Sequence, residues 1–184
     1  MGGSASVDTV PWPEPLRVVH MPVLVRPMRD DESRSFLEIQ REAVRGLAAD
    51  DYSPSVIEAW APLPVTDTAI AFFRVNHEDE IRLVAELDGE LVGIGALVIA
   101  DSELRACYVR PAAARRGVGS ALVAEIERIA RHHRLTHLQL HSSVTAEPFY
   151  RALGYLVQDR AEHVLASGER MAAVKMRKSL TYRL

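Results

Sequence analysis

Residues 104–122 read Leu-Arg-Ala-Cys-Tyr-Val-Arg-Pro-Ala-Ala-Ala-Arg-Arg-Gly-Val-Gly-Ser-Ala-Leu. The stretch begins as a mostly apolar strand, turns into a loop at Pro111 and reaches a helix through Arg115-Arg116-Gly117-Val118-Gly119-Ser120. A helix start carries unpaired backbone N–H groups and a partial positive charge, and glycines there let phosphates approach the main chain with no Cβ in the way. The loop is therefore a seat for a pyrophosphate.

Two common owners of such a loop are excluded. A dinucleotide fingerprint wants Gly or Ala three residues after the second glycine, where this chain has Leu122, and an acidic residue about 20 further on, where it has Leu138-Gln139-Leu140. A triphosphate-binding loop needs Lys directly after its last glycine, and the only lysines are Lys175 and Lys178.

The six residues Ala114-Arg115-Arg116-Gly117-Val118-Gly119, set between strand and helix, resemble the Gln/Arg-x-x-Gly-x-Gly/Ala signature of the GNAT superfamily of acetyl-CoA-dependent N-acetyltransferases. Ala114 stands where that family usually has Gln or Arg, and Arg115 or Arg116 can supply the charge. The resemblance implies acetyl-CoA as co-substrate and no metal. It places Arg115, Arg116, Gly117, Val118, Gly119 and Ser120 around the pyrophosphate. The backbone of Cys107, Tyr108 and Val109 would pair with the pantetheine arm like an added strand, one amide polarising the thioester oxygen.

Downstream, Ala146-Glu147-Pro148-Phe149-Tyr150-Arg151-Ala152-Leu153-Gly154-Tyr155 is similar to the family's Ala-x-x-Phe-Tyr-x-x-x-Gly-Phe element. In that pattern Tyr150 protonates the departing CoA thiolate. A phenol near pKa ~10 beside a thiol near ~8.5 is read as a downhill donor. The bland alternative makes Phe149 and Tyr150 the apolar face of a short helix.

The implied fold is α/β (α+β): a mixed, mostly antiparallel sheet of six to seven strands flanked by four helices. The chain supplies the elements in order. Val23–Pro27 is a short first strand, and Asp30 or Asp31 caps a helix to about Ala49 with Phe36, Ile39, Ala43, Val44 and Leu47 at helical spacing. Ser53-Pro54 opens a second helix through Trp60, which Pro62 and Pro64 stop. Residues 82–87 and 90–99 flank Asp88-Gly89 as a hairpin, and a fourth strand follows Asp101-Ser102. The glycine-loop helix runs to about His133 with Val118, Leu122, Ile126 and Ile129 facing the sheet. A fifth strand covers Thr136–His141, and a closing hairpin joins Tyr155–Val164 to Arg170–Met176 across Ser167-Gly168.

At 184 residues, 48% hydrophobic and 26% charged, the chain suits one domain over 22–184. Residues 1–21, with Pro11, Pro13 and Pro15, read as an N-terminal extension; their opening Met1-Gly2-Gly3-Ser4-Ala5-Ser6 formally matches a myristoylation pattern. A net charge of −3 argues against nucleic acid as a partner. One cysteine, Cys107, leaves no internal disulfide and no Cys-based zinc site. No run has the length of a membrane span, so the expected protein is soluble and cytoplasmic, without a membrane partner; a homodimer is compatible with it.

Residues 41–54 with Trp60-Ala61-Pro62, and Thr145–Tyr150, resemble the YafP-like branch of the superfamily. In this superfamily the first two helices line the acceptor side, which makes Tyr52 and Trp60 candidates for the acceptor pocket. A general base must deprotonate the acceptor ammonium before it attacks. Glu103 matches the place where histone-acetylating members carry their base glutamate, and alternation puts Glu103, Arg105 and Cys107 on one face. His137 and His141 share a face of the fifth strand with Gln139 and offer a proton relay. His132 and His133 end a helix, and no third ligand completes a metal site.

Direct transfer through a tetrahedral intermediate is expected over an acetyl-Cys107 intermediate, because buried strand cysteines are usually inert. The expected function is acetyl transfer from acetyl-CoA to a primary amine, the acceptor being an open choice between small molecule and peptide. The alternative is a non-catalytic acyl-CoA-binding module with a regulatory or interaction role.

Overall fold

The computed structural model describes residues 22–180; the extension at 1–21 lies outside the described residues. In chain order the elements are β1 (Leu24–Pro27), a 3-10 turn (Asp30–Glu32), α1 (Ser33–Leu47), α2 (Pro54–Trp60), α3 (Asp67–Val75), β2 (Ile81–Leu87), β3 (Glu90–Val98) and β4 (Glu103–Val109). After a 3-10 turn at Pro111–Ala113 come α4 (Val118–His132), β5 (His137–Ser143), α5 (Glu147–Ala152), β6 (Leu156–Val164) and β7 (Arg170–Ser179). The strands form one sheet in the order β1-β2-β3-β4-β5-β7-β6. Every adjacent pair is antiparallel except β4 and β5. The mixed, mostly antiparallel sheet is the one expected.

Local chemistry sets the layers. Asp88 and Gly89 both take positive φ (55° and 83°), the geometry that matches a two-residue turn to the twist of β2 and β3. On β3, a Cβ at Gly93 would meet Val118 Cγ1 at 2.8 Å and one at Gly95 would meet Ile126 Cδ1 at 3.0 Å. The two glycines thus let α4 lie directly on the sheet, with Val118, Leu122 and Ile126 buried against Leu83, Ala85 and Leu97. On the opposite face α1 sets Phe36 and Ile39 over Val84, Ile94 and Ala96.

The helices differ from expectation in two places. Among the described residues there are five, because α3 follows the proline stop: Thr66 Oγ1 accepts the N–H of Ala69 at 3.2 Å, and Asn76 in left-handed conformation ends the helix. Its apolar pattern is weak, since Ile70 is its one buried residue and Phe72 is exposed. Furthermore, neither Asp30 nor Asp31 caps α1 through its side chain. The entry is fixed by Glu32, whose carboxylate accepts the Arg29 N–H at 2.8 Å and takes the Arg26 guanidinium at 2.9 and 2.6 Å.

Arg26 also holds Glu86 of β2, so this cluster ties the first strand, its neighbour and α1 together. The Arg26 hydrogen bonds hold the buried Glu32 carboxyl down at about 2. A carboxyl below its usual 4.5 stabilises the fold fully above that value, and the contribution is lost as pH falls from 4.5 through about 2. We expect Glu32→Ala to lower stability by about 2–3 kcal/mol at neutral pH, with the difference from the parent shrinking between pH 4.5 and 2 in denaturant titrations.

Candidate active site

The site begins where the sheet comes apart. β4 and β5 share one register pair, Glu103↔Gln139, while β4 stays paired with β3 as far as Gly93↔Val109. The Arg110 N–H donates to Val92 O at 2.8 Å. In an antiparallel ladder the bonding residues alternate, so Ala106 and Tyr108 face β3, and Cys107 and Val109 turn their N–H and C=O groups into the gap. A strand edge with unmet polar groups is what an extended amide chain can pair with.

A bulge corrects the expected alternation. Leu104 pairs with Leu97 and Ala106 with Ala96, which leaves Arg105 with no partner on β3. An extra residue shifts the side-chain period by one. Leu104, Cys107 and Val109 therefore belong to the α4-side core, Ala106 and Tyr108 to the α1 side. Glu103, next to Leu104, faces the α1 side, opposite to Cys107.

Two clefts occupy the gap. The larger, about 820 Å³, runs between the start of α4 and α1 and is lined by Arg115, Gly117–Ser120, Phe149 and Val109, with Leu47 on its wall. That position explains why Leu47, read as core, is 42% exposed. Gly117 adopts φ +82°, which a Cβ would strain, and the first bond inside α4 runs from Ala121 N to Gly117 O at 3.0 Å. The N–H groups of Val118, Gly119 and Ser120 thus have no partner within the helix. Arg115, itself left-handed at φ 62°, lines this cleft, whereas Arg116 pairs with Asp88 at 3.2 Å and is not among the lining residues.

The smaller cleft, about 500 Å³, lies on the α1 side and is lined by Glu103, Arg105, His141, His163, Met171 and Ala173, among others. Both clefts share Trp60, Cys107, Tyr108, Ser143 and Ala146. Tyr150 stands at that junction, its ring edge-on to Phe149 (5.0 Å) and Tyr155 (5.7 Å). Burial pushes the Tyr150 phenol well above its ordinary range, with Cys107 adding to the effect, so it is protonated at neutral pH.

Proton donation from this phenol is not downhill. Ordinary values of ~10 for a phenol and ~8.5 for a thiol make transfer to a thiolate uphill by about 1.5 units. Burial acts on both partners: it pushes the Cys107 thiol up to about 12 at this same junction, as it raises the Tyr150 phenol. Any thiolate held there becomes a stronger base for the same reason. The same burial makes Cys107 a poor nucleophile, in keeping with transfer that bypasses it.

Glu103 gives one oxygen to Arg105 Nη2 at 2.8 Å and turns the other toward His141 Nδ1 at 3.7 Å. His163 of β6 stacks at 6.3 Å from His141. His137 is not a lining residue of either cleft. Tyr52 also lies outside both linings: its hydroxyl donates to Ala172 O (2.7 Å) and accepts from Val144 N (2.8 Å), and its ring meets Trp60 edge-on at 5.6 Å. It braces the wall that Trp60 forms. His163, Met171 and Ala173 escaped the sequence reading because no motif marks them; they arrive through the insertion of β7 between β5 and β6. Among the described residues no group of three or more His, Cys, Asp or Glu side chains could hold a metal, and no helix is long and apolar enough to cross a membrane.

The solved structures similar to this chain share one fold. A GCN5-related N-acetyltransferase of Rhodopseudomonas palustris, also described as a class-II aminotransferase, is 28% identical, with a TM-score of 0.79 over 89% of this chain and 99% of that one. The PaiA N-acetyltransferase of Thermoplasma acidophilum, in complex with coenzyme A, is 21% identical, with a TM-score of 0.66 over 86% and 99%. The ribosomal-protein-S18-alanine N-acetyltransferase of Escherichia coli is 14% identical, with a TM-score of 0.63 over 89% and 97%. No match is found among curated protein sequences. The sequence model of the GNAT acetyltransferase family matches residues 41–155, more than half of the chain, including the glycine loop, both clefts' shared residues and Tyr150. The chain belongs to the GNAT acetyltransferase family.

Proposed function

We propose that this acetyltransferase moves the acetyl group of acetyl-CoA directly onto a primary amine, with CoA in the larger cleft and the amine in the smaller one. The observation that carries the reading is the meeting of the two clefts at Cys107, Tyr108, Ser143, Ala146 and Trp60, with Tyr150 beside them. The unpaired N–H groups at the start of α4 suit the pyrophosphate, as the CoA complex of the Thermoplasma relative makes chemically reasonable. The free amides of Cys107 and Val109 suit the pantetheine arm and the thioester oxygen.

In the transfer an N–C bond forms as the C–S bond breaks. Tyr150 protonates the departing thiolate. The first ammonium proton goes to the Glu103–His141 pair before attack, and the second, which leaves the nitrogen as the intermediate collapses, restores the Tyr150 phenol. Glu103 alone is poorly placed to take the first, because four residues of extended strand put it roughly 13 Å from Cys107. With Glu103 level with Gln139, His141 lies two residues nearer the junction. The carboxylate then orients and stabilises the imidazole that accepts the proton. A non-catalytic module would leave the protonated Tyr150 and this pair without a task.

Tyr150→Phe should lower kcat at least ten-fold and leave the Kd for CoA within about two-fold, as measured by thiol release and calorimetry. Unchanged turnover would remove Tyr150 as the acid. Gly119→Val would press on Phe149, whose Cζ already lies 3.1 Å from a Cβ at this position, and should weaken CoA binding at least ten-fold. His141→Gln should reduce kcat/KM at least ten-fold, while Glu103→Gln should lower kcat less. An unchanged kcat/KM in His141→Gln would exclude it as the base.

A further inference from the structure

The residues around the smaller cleft constrain what can enter it. Its inner wall is apolar: Trp60 and Tyr108 meet edge-to-face at 6.3 Å, and Met171 and Ala173, each 5% exposed, close the β7 side. Its charged groups sit at the other end. Glu103 is the one carboxylate among the lining residues and Arg105 the one Lys or Arg. The two serines are partly engaged: the Ser142 hydroxyl donates to Ser143 O at 2.7 Å, and the Ser143 hydroxyl accepts the Ala146 N–H at 3.1 Å and keeps its own O–H to give.

Small-molecule acceptors can be weighed against that set. A free amino acid brings a carboxylate, which needs a cation. Arg105 is bonded to Glu103 and Glu78 and lies 4.0 Å from Asp101, so three carboxylates already face its charge, and of its guanidinium nitrogens the buried Nε alone has no partner among the described residues. A polyamine brings several ammonium groups to a single carboxylate that Arg105 partly neutralises. An amino sugar brings many hydroxyls to a wall of Trp60, Tyr108 and Met171, more than the few polar groups there can pair, at about 1–3 kcal/mol for each one left unpaired. A lone ammonium gains instead from the aromatic faces on its way to the junction, and an apolar body gains from the wall behind it.

We infer that the acceptor is a small monoamine whose amine stands on an apolar, preferably aromatic, body with no anionic group beside it. The inference rests on the acetyl-transfer reading for its chemistry, but the cleft's selectivity can be measured without turnover. Trp60 reports on occupancy, and Trp12→Phe removes the only other tryptophan. In the Trp12→Phe protein saturated with CoA, 2-phenylethylamine should quench Trp60 fluorescence saturably and bind at least ten-fold more tightly than phenylalanine, spermidine or kanamycin. Ala173→Leu, which narrows this cleft alone, should weaken 2-phenylethylamine at least five-fold and leave the Kd for CoA unchanged, which also verifies that the variant folds.

Equal or tighter binding of phenylalanine, spermidine or kanamycin would overturn the inference, as would an Ala173→Leu protein that binds 2-phenylethylamine undiminished. Thiol release with acetyl-CoA separates the two readings. Selective amine binding with no thiol release upholds the cleft's selectivity and removes the catalytic reading. Efficient release only with an amino acid, polyamine or amino sugar upholds acetyl transfer and overturns the monoamine.

Discussion

Everything functional in this chain depends on β4 and β5 being zipped at one end and parted at the other. At the closed end Gln139 donates its N–H to Ser102 O and its side-chain amide to Asp101 O, both at 2.9 Å, beside the single register pair with Glu103. Beyond it the Arg105 bulge turns β4, and Tyr52 pins the far end of β5 by joining Val144 to Ala172. Parallel strands that run together would bury their edges in each other. These instead leave the amides of Cys107 and Val109 facing a space, and buried backbone groups without partners are costly enough that a ligand's amides become the natural completion.

The parting also decides the electrostatics. The same removal from water that raises the Cys107 thiol raises the Tyr150 phenol, so in the proposed transfer the thiolate and the phenol that would protonate it move in the same direction. Desolvation disfavours the charged form of each, thiolate and phenolate alike. The polar groups at Glu103, Arg105 and His141 sit toward the closed end, and the apolar wall of Trp60, Tyr108 and Met171, with His163 level with Met171, lies nearer the junction. Charge is thus handled at one end of the acceptor cleft and bond exchange at the other.

Much of this was legible in the sequence, for reasons that are local. Gly117 and Gly119 between a strand and a helix declare a backbone anion seat, and the turn at Asp88-Gly89 and the cap at Ser53 follow from the conformations those residues favour. Tyr150 was found through its motif. The Arg105 bulge was not, because nothing in Leu104-Arg105-Ala106 distinguishes an inserted residue from an alternating one, and it moved Glu103 to the face opposite Cys107. The helix α3 had its cap at Thr66 but too few apolar contacts to announce itself. His163, Met171 and Ala173 lie far from the motifs in sequence and join the site only through strand order, which pairwise propensities do not encode.

The most direct test is a crystal structure of the protein with CoA. The account predicts the pyrophosphate on the N–H groups of Val118, Gly119 and Ser120, the pantetheine amides paired with Cys107 and Val109, and the CoA sulfur within hydrogen-bond distance of the Tyr150 hydroxyl. A CoA whose sulfur lies away from Tyr150, or whose arm does not enter between β4 and β5, would contradict it.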